Sequence, residues 1–97
     1  MQITIPHKFT KAEAKERVMI ALREAHSKLG NQATIEKEEW AGDTLNFGFT
    51  VQGQSITGTF EVRDNDFSLD AKLPLMLRMF EGRIKKAIEE QAAAMLK

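Results

Sequence analysis

The chain has 97 residues, 42% of them apolar, with no cysteine and with 14 basic side chains against 14 acidic ones. A chain of this length buries roughly 60% of its unfolded surface, which predicts a single domain over residues 1–97. Balanced charge leaves no overall field to draw in nucleic acid, the longest apolar run falls far short of the roughly 20 residues of an integral membrane span, and the lack of cysteine excludes disulfide and thiol chemistry.

The opening stretch MQITIPHKF carries no basic region followed by an apolar run, so no secretory signal is expected and the cytoplasm is the default compartment. QITI reads as a short edge strand. Thr10 and Glu13 then form a capping box, in which the hydroxyl accepts from a free amide of the first turn and the carboxylate reaches back. Ala14, Val18, Ala21, Leu22, Ala25 and Leu29 follow at three- and four-residue steps, and Gly30-Asn31 offers a left-handed stop, which predicts a helix ending at about Leu29.

From Ala33 the period changes to two. A less regular strand over about Thr34–Trp40 precedes three alternating ones, whose inward residues are Leu45, Phe47, Phe49 and Val51, then Ile56, Gly58, Phe60 and Val62, then Phe67, Leu69, Ala71 and Leu73. Turn residues at Gly42-Asp43, Gln52-Gly53 and Asp64-Asn65 make the connections short enough to force antiparallel neighbours. The last element, about Leu75–Leu96, is helical by composition. With Ile84 at the centre of its buried face, Leu77, Phe80, Ile88, Gln91 and Met95 lie within about 40° at roughly 100° per residue. Gly82 inside this helix predicts a kink or close backbone packing. The order β-α-β-β-β-β-α gives an α+β fold of two layers, an antiparallel sheet of four to five strands with two helices on its one apolar face.

Leu75 and Met79 fall roughly opposite Ile84 on the same wheel, with Met76 on the flank, so the core does not call for them there. Beside Arg78, Arg83, Lys85 and Lys86 they make an apolar patch with a cationic rim. Two readings stay open. These residues tuck under the amino-terminal strand as core, or Leu75, Met76, Arg78, Met79, Arg83 and Lys86 form a contact surface for a second subunit, a partner protein or an anionic amphiphilic surface. Charge is also unevenly spread: residues 36–70 carry eight carboxylates against Lys37 and Arg63, and the flanks are correspondingly basic.

Motifs for chemistry are absent. His7 and His26 lack the spacing of a zinc site and read as surface or boundary residues, His26 suiting the dipole at the end of its helix. Glu36, Glu38, Glu39 and Asp43 read as a solvated rim that protects a strand and turn rather than as an acid/base pair. The serines sit in no nucleophile elbow and the glycines in no phosphate-binding loop, so no catalytic residue, cofactor or metal is expected. Trp40 precedes a turn among acidic neighbours and reads as a core or edge anchor, not a base-stacking platform. The polar face, with Asn46, Thr57, Thr59, Asp70 and Lys72, offers either a solvated surface or a small-ligand site.

The stretch I-x-I-P-H before a capped helix, then W-A-G-D-T-L-N-F, G-T-F-E-V and above all L-P-L-M-L-R-M-F-E-G-R-I, resembles the polyhydroxyalkanoic acid system protein family of small bacterial proteins. The matching positions are Ile5, Pro6 and His7, then Trp40, Gly42, Asp43 and Leu45, then Gly58, Glu61 and Val62, and finally Leu73, Phe80, Gly82 and Ile84. This resemblance implies a bacterial cytoplasmic protein linked to polyester storage granules, and it supplies no catalytic residue. The expected function is a non-enzymatic accessory or binding protein, attached through residues 75–86 to a granule surface, to a granule protein or by self-association. The competing expectation is a small apolar-ligand carrier of the helix-grip type, an analogy from architecture alone.

Overall fold

Thr10 opens the first helix as the capping box requires. In the computed structural model, which describes residues 1–95, its Oγ1 accepts from the Glu13 amide at 3.2 Å and donates to Glu13 Oε1 at 2.9 Å. The helix, α1, runs Lys11–Leu29 and stops where Gly30 takes φ 50° and its amide donates to the His26 carbonyl. A 3-10 turn, Gly30–Gln32, leads into the strands. They are β1 (Gln2–Pro6), β2 (Ala33–Ala41), β3 (Thr44–Val51), β4 (Gln54–Val62) and β5 (Asp66–Lys72), followed by α2 (Leu75–Arg78) and α3 (Glu81–Met95).

All five strands pair antiparallel in the order β1-β5-β4-β3-β2, which makes the fold α+β, with β1 as the expected edge strand. The β3–β4 hairpin closes on Gln52-Gly53 with φ of 51° and 78°, the two positive angles that a tight two-residue turn demands. Leu45, Phe60, Leu69 and Ile3 form one row across the sheet, and Val62, Phe67 and Ile5 form the next. The reverse side carries the row Asn46, Thr59, Asp70 and Gln2, so the alternation read from the sequence sets the two faces. At β1 Ile3 is buried while Gln2 and Thr4 are exposed, which places the adjacent α3 on the same apolar face as α1.

β1 and β2 flank α1 in sequence yet lie at opposite edges of the sheet, so α1 crosses it obliquely. Its amino end brings Ala14 onto Val62 and Phe67, which are buried, and Ile5, Phe9, Val18, Trp40 and Phe60 pack around them. The centre of the core is therefore nearer the β4–β5 turn than the alternation alone suggests. Phe47, Phe60 and Leu69 lie on one face of the sheet, with Val18 packed in the cluster that includes Phe60, and all three are half-buried, as are Val18, Leu22 and Ile84.

In β2 the pairing shifts between Ile35 and Lys37, so that Ile35 faces Phe49 and Glu38 faces Phe47. This bulge explains the strand's irregular pattern: one extra residue resets the alternation and turns a carboxylate toward the apolar side. His26 on α1 meets that carboxylate, Nε2 to Glu38 Oε2 at 3.3 Å. Glu36 and Glu39 stay exposed on this edge strand, as expected of a charged rim.

The carboxy-terminal segment is not one helix. Leu77 and Arg78 donate to the Pro74 carbonyl at 2.9 and 3.1 Å, and Phe80 closes a tighter i to i−3 bond on Leu77 at 3.0 Å before α3 restarts with Ile84 donating to Phe80. The break falls at Met79-Phe80, two residues before Gly82. A Cβ on Gly82 would meet nothing within 4 Å, so the close packing anticipated there is not formed. The predicted end at Leu96 lies outside the described residues, as do the side chains of Leu29 and Met95 assigned to the buried stripes.

Candidate functional site

The β4–β5 end of the sheet is tied together by backbone-directed side chains. His7 is buried; its Nδ1 accepts from the Phe9 amide at 3.1 Å, so the proton sits on Nε2, which donates to the Arg63 carbonyl at 2.9 Å. The His7 amide also donates to the Asn65 carbonyl at 2.9 Å, and its ring lies 4.6 Å from that of Phe67. The sequence reading of His7 as a surface or boundary residue is thus corrected: both ring nitrogens are spent on backbone groups, and the residue locks a turn.

Lys11 sits above this end, 3.3 Å from Asp43 and 3.8 Å from Asp64. Its hydrogen bond to Asp43, with the charge of Asp64 next, holds the ammonium above the ordinary lysine range. Lys15 donates to the Gly42 carbonyl at 2.9 Å and lies 4.9 Å from the Trp40 ring centre. Trp40 is thereby the edge anchor anticipated from its position. These contacts are structural, fastening α1 to the β2–β3 and β4–β5 turns.

The residues with no such employment lie at the α2–α3 elbow. Leu73 is buried and Leu77 half-buried, whereas Leu75 is 78% exposed, Met76 68%, Met79 85% and Phe80 48%. Exposure of Phe80 departs from the wheel, which assumed an unbroken helix and put it on the buried stripe. Leu75, Met76, Met79 and Phe80 fall within six consecutive residues of the broken α2–α3 segment, so the exposed apolar side chains are clustered in sequence at the elbow. Arg78, Arg83, Lys85 and Lys86 are all exposed around them, and among the described residues none is in an ion pair. Glu81, the one carboxylate of the segment, lies 3.2 Å from the amino group of Met1. All six predicted surface residues, Leu75, Met76, Arg78, Met79, Arg83 and Lys86, are therefore accessible and adjacent along the chain.

Two open grooves lie elsewhere among the described residues. One, about 360 Å³, lies between α1 and β2 over Met19, Leu22 and Trp40 and is rimmed by Glu16, Arg23 and Glu38. The other, about 300 Å³, opens beside Gly48 between Lys37 and Thr57. Among the described residues, no group of three or more His, Asp or Glu is placed to hold a metal ion.

Most of the positions that carry the family resemblance gather in two places. Pro6, His7, Trp40, Gly42, Asp43 and Val62 meet at the locked end of the sheet, where Val62 donates to the Asp43 carbonyl at 2.9 Å. Leu73, Phe80, Gly82 and Ile84 make the elbow and its supports. A family model described as "Putative polyhydroxyalkanoic acid system protein" matches residues 1–96. The chain belongs to that family. Comparison with curated proteins and with solved structures returned no match. Within the polyhydroxyalkanoic acid system family the motif residues of this chain are thus mostly scaffold, and the elbow is where they border an exposed apolar surface.

Proposed function

We propose that this family member is a non-enzymatic accessory protein of polyhydroxyalkanoate storage, which attaches to the granule surface in the bacterial cytoplasm through the α2–α3 elbow. What carries the reading is the exposure of Leu75, Met76 and Met79, three large apolar side chains grouped on one turn. Such a cluster costs solvation that a folded chain avoids unless the surface is used. Burying Leu75 and Met79 against a partner contributes about 1.5–3 kcal/mol each, enough together for at least a tenfold change in affinity.

The carrier alternative draws no support from the grooves, which are open and edged by charged side chains, where an apolar carrier needs an enclosed apolar cavity. Co-pelleting with polyester particles tests the proposal. Leu75→Ser with Met79→Ser should leave the protein folded and weaken retention at least tenfold; undiminished retention would exclude the elbow as the attachment surface.

A further inference from the structure

We propose that the partner of the elbow is an anionic lipid surface, with Leu75, Met76 and Met79 among the acyl chains and Arg78, Arg83, Lys85 and Lys86 at the headgroup phosphates. The inference rests on the elbow being the attachment surface and adds the chemistry of what it meets. An uncharged polyester satisfies the apolar side chains alone. Bringing four cations against it strips their hydration and returns no counter-charge. Anionic headgroups satisfy both parts of the surface at once.

A second copy of the chain is the poorer occupant. Pairing two elbows about a twofold axis sets four cations against four, and Glu81 is already engaged with the Met1 amino group. The apolar residues also suit a fluid partner: two of the three are methionines, unbranched side chains that conform to irregular surroundings. Depth is limited by the fold. Ile84, Ile88 and Ala92 point toward the body of the protein as half-buried residues, so α3 is not free to follow the elbow in. No helix among the described residues is long and apolar enough to cross a membrane. The elbow therefore lies in the headgroup region and does not span.

The test is flotation of the full chain with vesicles of phosphatidylcholine alone or mixed with phosphatidylglycerol, alongside pelleting with lipid-free polyester particles. Binding to the phosphatidylglycerol vesicles should be at least tenfold tighter than to pure phosphatidylcholine and should weaken with salt. Arg78→Gln with Arg83→Gln, Lys85→Gln and Lys86→Gln should abolish the preference. Because the chain has no cysteine, Met79→Cys and Ser55→Cys each give one labelling point; an environment-sensitive dye should shift to the blue on vesicles at position 79 and stay unchanged at 55. Equal binding to both vesicles, or an unshifted dye at 79, overturns the inference. Binding to polyester particles but to neither vesicle overturns it and leaves granule attachment standing, whereas binding to none overturns both. Self-association abolished by Leu75→Ser with Met79→Ser would assign the surface to a second copy and overturn the lipid partner.

Discussion

His7 and Arg63 are 56 positions apart, yet the imidazole of one donates to the backbone carbonyl of the other at 2.9 Å. This bond joins the end of β1 to the end of β4, and the same ring accepts from the Phe9 amide on the way into α1. His7→Ala would leave a partly buried carbonyl and amide unpaired and a void beside Phe67. The expected cost is about 2–4 kcal/mol, seen as a lower midpoint in urea. Neither Asn nor Gln reproduces both contacts, so each should recover only part of it. A loss below about 1 kcal/mol for His7→Ala would mean that the ring does not hold the turn.

Gly58 and Gly82 should respond to alanine with opposite signs. A Cβ on Gly58 would press into the backbone of Asp70 and Ala71 on β5 and stand 3.0 Å from the tip of the Phe47 ring. Strand separation has to give, and overpacking of this kind costs about 1–3 kcal/mol or more. Gly82 has open space in the first turn of α3, so Gly82→Ala should gain about 0.5–1 kcal/mol from helix propensity. Thermal melts of the two variants provide the comparison.

Leu73 and Leu75 differ by two positions and by nearly the whole range of burial, 7% against 78% exposed. Leu73→Ala should cost about 2–5 kcal/mol and Leu75→Ala no more than about 0.5 kcal/mol in denaturant titrations. Similar losses at both positions would show that the elbow packs into the core in solution.

Lys11 supplies a prediction in pH. Its Asp43 hydrogen bond and the Asp64 charge raise its pKa above the ordinary 10.5. A raised pKa means that the charged form favours the folded state, so the contribution is complete below pH 10.5 and disappears as pH climbs through the folded value. Lys11→Met should therefore flatten the alkaline limb of a stability-against-pH curve and leave its slope near neutral pH unaltered. The pair is exposed, so added salt should shrink the difference between the two proteins.

Most of the architecture was legible because it is written in local terms. Thr10 and Glu13 announce a helix by their own side chains, and the alternation from Leu45 to Leu73 sets which face of each strand is apolar. His7 escaped because its partners are backbone groups remote in sequence, which leave no side-chain pattern to read. The β2 bulge escaped because one inserted residue reverses the alternation, and nothing in IEKEE marks which residue is extra. At the elbow, a wheel centred on Ile84 placed Leu75 and Met79 outward correctly and Phe80 inward wrongly. The wheel assumes one continuous axis, and the tight Leu77–Phe80 bond ends it. Arg78, Arg83 and Lys86 were legible as exposed from their charge alone.

The opposite placement of β1 and β2 has a consequence for how the chain is made. β2 to β5 are joined by hairpins, each next to its partner in sequence, but the strand that β1 pairs with begins at Asp66. At roughly 5–20 residues per second, β1 waits about 3–13 s during synthesis before its own partner exists. Over that interval Ile3 and Ile5 have no strand beside them, and α1, already complete, has no finished sheet to lie on. Closure of the β1–β5 pair, across the largest sequence separation in the sheet, is then the pairing that encloses the core around Ala14, and the one with the largest loop entropy to overcome.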